Sequence, residues 1–473
     1  MTGKYKTLLS NTLIFAIGSV GSRIITFLLV PLYTNILSTE QYGTADFVMT
    51  CSYLVVPIIS LVIQDAILRF GLSRKSDVGK IARNALVVFG AGVLGMLLML
   101  PLISLHPILA QWKWQFFVLV ISNNASNILF AYAKAKEQNK LYAVGSVLQT
   151  LSLAVVNLVL LVQLRWGVRG YLIGNMAANL VPSIVIFIKT GMYRDIRGAQ
   201  FDGILLKQML RYSIPLIANN LSWWILNSAD RVMLEHYLSA SELGLFTAAA
   251  KIPGLLSVVT SIFSSAWTIS SIKEYDSDQD KSFYSTVFSA FNLTMCLGAS
   301  FVILIVKPFM HIYVGADFFR SWQLVPLLVL GAVYFAYASF FGAIYDAAKK
   351  NVVIAITTFA AAIVNILVNF LLIGRIGVLA ASVSTAVGYA TIGLFRMFHS
   401  RKYFTFPIRY GEVAWNSLIL IAQTVLVTMD VFPYAVSIIA ILLLLAGNRQ
   451  SFKALFQFVQ TKVGKEHIDE ETK

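Results

Sequence analysis

Two cations stand where cations are costly. Arg23 lies about sixteen residues into the apolar segment 8–31, roughly 24 Å along a helix that rises 1.5 Å per residue. Lys251 lies about eight residues into the segment 243–270, or near 12 Å. At the centre of a bilayer a charged side chain costs at least about 2.5–3.5 kcal/mol, so each must face a wet cavity or a partner. Neither has an obvious acid beside it on its own helix face. Two roles follow: a cation that holds an anion stripped of water, for which the fixed charge and planar fork of arginine are best suited, or a structural pair with another helix. Pro253 closely follows Lys251 and is placed to bend or break that helix. Arg69 follows Asp65 by one turn; a helix-surface ion pair or a lipid-headgroup contact is the plainer role, an anion contact the sharper one. Asparagines recur at i, i+4 spacing, as Asn123 and Asn127, Asn175 and Asn179, and Asn365 and Asn369. Each pair marks one helix face, for hydrogen bonds between helices or for a polar path. Trp223, Trp224 and Trp267 offer flat rings that stack, pack or anchor at an interface.

The elements that position these residues are membrane helices. Of the 473 residues, 58% are hydrophobic and 12% charged, and mean hydropathy is +0.75. A soluble chain carries about twice that charge, so a soluble enzyme, a disordered chain and a nucleic-acid binder are excluded. Charged and Gly/Pro-marked breaks divide the chain into fourteen segments: 8–31, 43–68, 84–105, 114–133, 141–164, 170–188, 208–230, 243–270, 283–306, 322–345, 352–373, 377–398, 413–429 and 431–447. Each is near the length of about 20 apolar residues that a span needs. The break at Asp430–Pro433 is the weakest, which leaves a count between twelve and fourteen.

With Lys4 and Lys6 placed inside and the segments alternating, 28 of the 37 Lys and Arg fall on the cytoplasmic face and seven outside. That bias follows the positive-inside rule, puts both termini in the cytoplasm and accounts for the net charge of +15 without nucleic acid. The first segment is too long for a secretory signal and lacks a cleavage site, so it is expected to stay as a span. No loop has room for a soluble domain, and no G-x-x-x-x-G-K-[ST] phosphate loop occurs. Cys51 and Cys296 have neither a disulfide framework nor a metal spacing, and both are expected to be small buried thiols. No catalytic residue, metal or cofactor is expected. The tail from Arg449 repeats Phe452, Leu455, Phe456, Val459 and Val463 at helical spacing among lysines, as an amphipathic helix on the inner leaflet does.

The chain also repeats itself. LSTEQYG at Leu37–Gly43 returns as LSASELG at Leu238–Gly244, 201 residues on; AKEQN at Ala135–Asn139 returns as AAKKN at Ala347–Asn351; GVRG at Gly167–Gly170 returns as GVLA at Gly377–Ala380. Spans 1 and 7 are an even number apart, so the copies share an orientation and form a parallel repeat. The expected architecture is all-α: an N-lobe of six helices (1–189), a cytoplasmic linker (190–206), a C-lobe of six helices (207–403), two further helices (404–448) and the tail (449–473). Paired lobes flanking a central cavity are a transporter's plan.

VPLYTNILSTEQYG (Val30–Gly43), AILRF (Ala66–Phe70), YSIPL (Tyr212–Leu216), SADRVMLEHYLSASELGLFTAAAKI (Ser228–Ile252) and VNILVNFLLIGRIGVLAASVSTA (Val364–Ala386) resemble the polysaccharide-export branch of the multidrug/oligosaccharidyl-lipid/polysaccharide flippase superfamily. The resemblance implies movement of an undecaprenyl-pyrophosphate-linked oligosaccharide from the inner to the outer leaflet of a bacterial plasma membrane. It implies a cationic cavity, to which Arg23 and Lys251 would belong. Membrane lipids would surround it, and a polysaccharide polymerase and glycosyltransferases would be its partner enzymes. Asp230–Arg231 matches the family's acid–arginine pair at the outer end of span 7, either touching substrate or forming an ion pair that holds an external gate. Arg69, Asn123 and Asn127 complete the expected substrate-binding set, and the asparagines and tryptophans would line a sugar path. After Trp267 comes Thr-Ile where the family pattern suggests a proline. Three rivals are a cation-coupled drug antiporter, which should carry mid-span carboxylates, a polymerase or ligase, which should carry a large external loop, and a lipid II flippase of the same fold.

Overall fold

The computed structural model describes residues 25–73, 77–275 and 281–449, and every regular element in them is helical. Thirteen of the fourteen sequence segments fall on described helices, and the first survives as its end, Ile25–Ile36. Among the described residues nine helices are long and apolar enough to cross a membrane, or ten if the broken pair Ala240–Ala249 and Gly254–Thr268 is one span. The chain is an all-α polytopic membrane protein. Arg23 and the tail beyond Arg449 lie outside the described residues. The structure forms two compact units, residues 1–247 with 314–318 and residues 248–313 with 319–473. This division falls after Thr247, whereas the internal repeat divides the sequence at 190–206.

In the first unit, α1 (Val30–Ile36) leads through Leu37 into α2 (Thr39–Ser60). The repeated motif turns out to be a capping signal. Ser38 Oγ accepts from the Gln41 N–H at 3.1 Å, and Gln41 Oε1 accepts from the Ser38 N–H at 3.2 Å. In the second copy Ser239 Oγ accepts from the Glu242 N–H at 3.2 Å, at the start of α10 (Ala240–Ala249). The span predicted over 43–68 is broken: Leu61 and Val62 both take left-handed backbone conformations, at φ 49° and 52°, before α3 (Ile63–Gly71). A β-branched residue there is strained. Next come α4 (Val78–Ile103), α5 (Lys113–Ala135), α6 (Asn139–Asn157, continued by a π-turn over Leu158–Gln163) and α7 (Gly167–Thr190).

The stretch expected as a plain linker contains a helix, α8 (Met192–Gly198). Its Met192 and Ile196 join a core with Ile63, Ile67, Ile81, Ala85 and Tyr132. Its Asp195 accepts from Lys136 Nζ at 2.7 Å and from the Tyr132 hydroxyl. Asp202 then caps α9 (Gly203–Tyr237), accepting from the Leu205 N–H at 3.0 Å, and pairs with Lys80 at 3.3 Å. α9 is long but carries Asn219, Asn220, Ser222, Asn227 and Ser228 within it, and it is absent from the set of apolar spanning helices.

The second unit comprises α11 (Gly254–Tyr275), α12 (Lys281–Tyr313), α13 (Val325–Ala347), α14 (Asn351–Ile376), α15 (Leu379–His399), α16 (Tyr410–Thr428) and α17 (Pro433–Gly447). Its core is α13, buried along nearly its whole length. Gly393 of α15 lets the two backbones meet: a Cβ there would stand 2.4 Å from Tyr334 O. Trp267 of α11 stacks on Phe340 with ring centroids 4.4 Å apart and donates Nε1–H to Phe340 O at 3.0 Å. The two last helices are tied in by buried amides. Gln423 exchanges hydrogen bonds with Ser300, and Asn416 with Asn448.

Candidate functional site

The two copies of the repeated motif meet inside the first unit. A Cβ on Gly43 would lie 1.7 Å from Ala240 O, and one on Gly244 would lie 2.0 Å from Thr39 O. Each glycine therefore lets the other copy's helix start lie against its own backbone, and no larger residue fits without moving that backbone. Thr39 and Ser241 share a hydroxyl–hydroxyl bond of 2.7 Å. Residues that correspond in the repeat face one another, as expected around a local two-fold axis. Asp46 and Thr247, 201 residues apart like Gly43 and Gly244, are such a pair: Thr247 Oγ1 donates to Asp46 Oδ2 at 2.9 Å.

Asp46 brings the charge. It is 8% exposed, about two turns into α2, and its Oδ2 also pairs with Arg231 Nε at 2.9 Å. Arg231 donates a further N–H to Asn227 O at 2.7 Å and lies over the Phe246 ring at 5.9 Å. The guanidinium is thus held by an acid from α2, a carbonyl from its own helix and a ring from α10. A low-exposure pair of this kind interacts more strongly than a surface pair, and removing either member leaves the other charge poorly solvated. One turn further along α9, Glu235 pairs with His106 at 3.0 Å, and the His106 ring lies against Phe47. Trp224 Nε1–H donates to Thr50 O at 2.9 Å and fastens α9 to α2. Tyr33, Tyr42, Tyr171 and Phe318 form an aromatic group, with Tyr33 and Tyr171 centroids 4.9 Å apart, and Asn157 donates to the Tyr33 hydroxyl at 2.7 Å. Gly315 returns here, its N–H on Thr34 Oγ1 at 3.1 Å.

The placement of the other expected residues is mixed. Arg231 of the acid–arginine pair takes Asp46, 185 positions away in sequence, and Asp230 is buried at 3% exposure. Adjacent helix residues point about a quarter turn apart, so one partner rarely serves both. Asn127 donates to Asn123 at 3.0 Å, so these two half-buried amides hold each other on one face of α5. Arg69 and Asp65 are both exposed on α3, and no ion pair joins them. Lys251 sits, as Pro253 suggested, in a break of the helix at 250–253. Cys51 is half-buried rather than buried; Cys296 is buried, and both are free thiols.

Sequence reasoning passed over two groups. Asp46 stands in none of the motifs quoted from the sequence, although the repeat offset that matches Gly43 to Gly244 also matches it to Thr247. Arg396, which no motif quoted from the sequence contains, is 4% exposed inside the second unit.

The profile of a family of polysaccharide biosynthesis proteins matches residues 8–268. A curated relative, Lsg locus putative protein 1 of Haemophilus influenzae, is 23% identical over 254 residues, which is 52% of this chain and 62% of that protein. Among solved structures, lipid II flippase MurJ in an inward closed conformation superposes with a TM-score of 0.67 at 13% identity, over 94% of this chain and 99% of its own. An inward-facing multidrug resistance MATE family transporter of the MOP superfamily gives 0.60 at 15% identity, over 80% and 97%. The Vibrio cholerae MATE transporter VcmN, as a D35N mutant, gives 0.56 at 12%, over 84% and 96%. These likenesses carry the fold, and the profile covers more than half the chain. The protein belongs to the polysaccharide biosynthesis protein family.

Proposed function

We propose that the protein moves an oligosaccharide carried on undecaprenyl pyrophosphate from the cytoplasmic to the outer leaflet of a bacterial plasma membrane, without catalysing a reaction. The observation that carries this reading is the crossing of the two repeat motifs, closed over by glycine and by the Asp46–Arg231–Thr247 cluster. In this reading both termini are cytoplasmic, the crossing is the external gate, and residues 1–189 rock against 207–403 to open it. Arg23, Lys251, Arg69, Asn123 and Asn127 are, in this reading, further residues that contact the cargo.

The gate chemistry suits an anionic cargo. While the gate is shut, Asp46 neutralises Arg231. An arriving pyrophosphate offers the guanidinium a more highly charged, bidentate partner. Exchange of Asp46 for the phosphate would weaken the crossing at the moment the cargo reaches it. Export is also favoured by an interior-negative potential, at about 2.3 kcal/mol per uncompensated charge through 100 mV.

The test uses full-length protein in liposomes with a fluorescent lipid-linked oligosaccharide and cysteines at positions 39 and 241. Oxidation should stop transport and reduction should restore it. Transport through a verified cross-link sinks the gate, and transport indifferent to an imposed potential sinks the electrical assistance. The fold shared with a lipid II flippase favours one second reading, in which lipid II is the cargo; supplying lipid II in the same liposomes separates the two. Uptake of ethidium, with neither lipid moved, would point instead to a drug transporter.

A further inference from the structure

The two copies of the repeat build the same corner differently. In the second copy α14 keeps its regular winding to Ile376, and the Gly377 N–H bonds Ile373 O, four residues back, at 3.1 Å. In the first, α6 ends in the π-turn over Leu158–Gln163. The Leu164 N–H reaches five residues back to Val159 O at 3.1 Å, and the Trp166 N–H six back to Leu160 O at 3.0 Å. Arg165 closes this turn in the left-handed region, at φ 52°, where a side chain is rarely found. Wide turns of this kind are rare and gather at functional sites. With the offset of 210 that aligns Gly167 with Gly377, Gln163, Trp166 and Arg169 stand where the second copy has Ile373, Ile376 and Leu379. Ile373 is buried, whereas Gln163 is exposed. The corner therefore folds with apolar residues at those positions, and the polar and aromatic groups of the first copy answer another need.

Arg165, Trp166 and Arg169 are all exposed, Trp166 at 46%, and Arg169 lies over the Trp166 ring at 5.7 Å. Among the described residues neither arginine pairs with an acid. The corner stands beside the crossing of the repeat motifs, since a Cβ on Gly167 would meet Nε2 of the capping residue Gln41 at 3.5 Å. Tryptophan settles at the headgroup level of a membrane, and the planar fork of arginine suits phosphate. We propose that this corner binds the phosphate of a membrane lipid, Arg165 and Arg169 taking its oxygens while the indole of Trp166 lies against the start of its chain. That chemistry has two sources: the pyrophosphate of the cargo once it has passed the crossing, and the headgroup of an anionic phospholipid. The inference rests on the flippase reading for its external position and deepens it, because it names where lipid phosphate is held on the far side.

The experiment titrates purified full-length protein in detergent with undecaprenyl pyrophosphate or with phosphatidylglycerol and counts bound lipid by native mass spectrometry. The double variant Arg165→Gln/Arg169→Gln should weaken binding by about tenfold or more, because two charge-assisted contacts to phosphate are lost. Arg165→Lys/Arg169→Lys, which keeps the charge without the fork, should recover part of the loss. Trp166→Ile, which copies the second repeat, should weaken binding by about threefold. Arg375→Gln, at the position that matches Arg165 in the second copy, should leave binding unchanged. Loss confined to undecaprenyl pyrophosphate assigns the corner to the cargo, and equal loss for both lipids assigns it to lipid phosphate in general; either supports the proposal. No loss for either lipid would reduce the corner to an interfacial anchor, and a loss in Arg375→Gln as large as in the double variant would reduce it to a general effect of charge; both overturn the proposal. A wild-type protein that binds lipid phosphate here yet moves no lipid-linked oligosaccharide in liposomes overturns the flippase reading and leaves the phosphate site standing.

Discussion

The protein takes two arginines largely out of water and treats them in opposite ways. Arg231, in the first unit, has a carboxylate 2.9 Å from Nε, and its side chain keeps 18% of its exposure. Arg396, in the second, donates Nε to Thr357 Oγ1 at 3.1 Å, one terminal nitrogen to Ala338 O at 3.1 Å, and the other to Ile354 O and Thr358 Oγ1 at 3.1 and 3.0 Å. All four acceptors of Arg396 are neutral, and they lie on α13 and α14 while the arginine itself is on α15. Hydrogen bonds to a charged group are worth about 1.5–3 kcal/mol each, so a guanidinium fixed at four points on two neighbouring helices is a clamp. A guanidinium held chiefly by one acid can change partner. The comparison separates a cation used to build from one placed to be released.

The largest effect should come from breaking the clamp. Arg396→Ala is expected to destabilise the protein by several kcal/mol, because each buried acceptor left without its donor costs about 1–3 kcal/mol, and to lower its level in the membrane. Arg396→Lys should recover little, because one ammonium lacks the planar fork that spans two helices. Thermal unfolding of purified protein checks both; a stable lysine variant would show that charge alone suffices.

The crossing should be next. Gly43→Ala puts a Cβ where Ala240 O now stands, at 1.7 Å, so the two helix starts must separate. Spontaneous disulfide formation between cysteines at 39 and 241 should fall to background in that variant, with membrane levels near normal. Retained cross-linking would mean that the backbones yield without parting.

A smaller, more diagnostic effect is expected at Asp46. Asp46→Asn should cost stability by leaving Arg231 partly buried without its acid. Adding Arg231→Gln should return much of it, with a coupling of about 1–3 kcal/mol in a double-mutant cycle. The double variant should still fail to transport. If it transports normally, the pair is only structural and the contrast with Arg396 disappears.

The smallest effect belongs to the docked helix α8. Burial pushes the Asp195 carboxyl up, but hydrogen bonds from Lys136 and Tyr132 and the lysine charge outweigh it and hold the group below its ordinary range. A carboxyl lowered in the folded state adds stability above its unfolded pKa of about 3.9 and loses it as the pH falls through the folded value. Melting temperatures should therefore drop below about pH 4, and Asp195→Asn should flatten that acid limb. An unchanged acid limb in the variant would show that the contact contributes little.

Much of this fold was legible locally. Span length depends on apolar runs, and the breaks at Gly, Pro and charged residues mark where those runs end, so the segments match the helices. The capping motifs were legible as a repeat before they were seen to be caps, because Ser-x-x-Gln and Ser-x-x-Glu act within four residues. The candidate site was legible only in part. Asp230 and Arg231 were legible through a resemblance between motifs, but the bond from Arg231 to Asp46 was not. Asp46 lies 185 positions away on another helix, so that contact needed a third dimension.

The sequence by itself determined that the chain lives in a membrane, that it is helical, that it carries a parallel repeat and that the region around 230–244 is special, since each follows from composition, hydrophobic run length or an offset. Only the tertiary structure decided that Asp46 meets Thr247 and Arg231, that Trp224 fastens α9 to α2, and that Arg396 is buried against two neighbouring helices. Those facts depend on which faces of distant helices come together. That is set by side-chain fit and close backbone approach at glycines such as Gly43 and Gly244, and distance along the chain does not encode it.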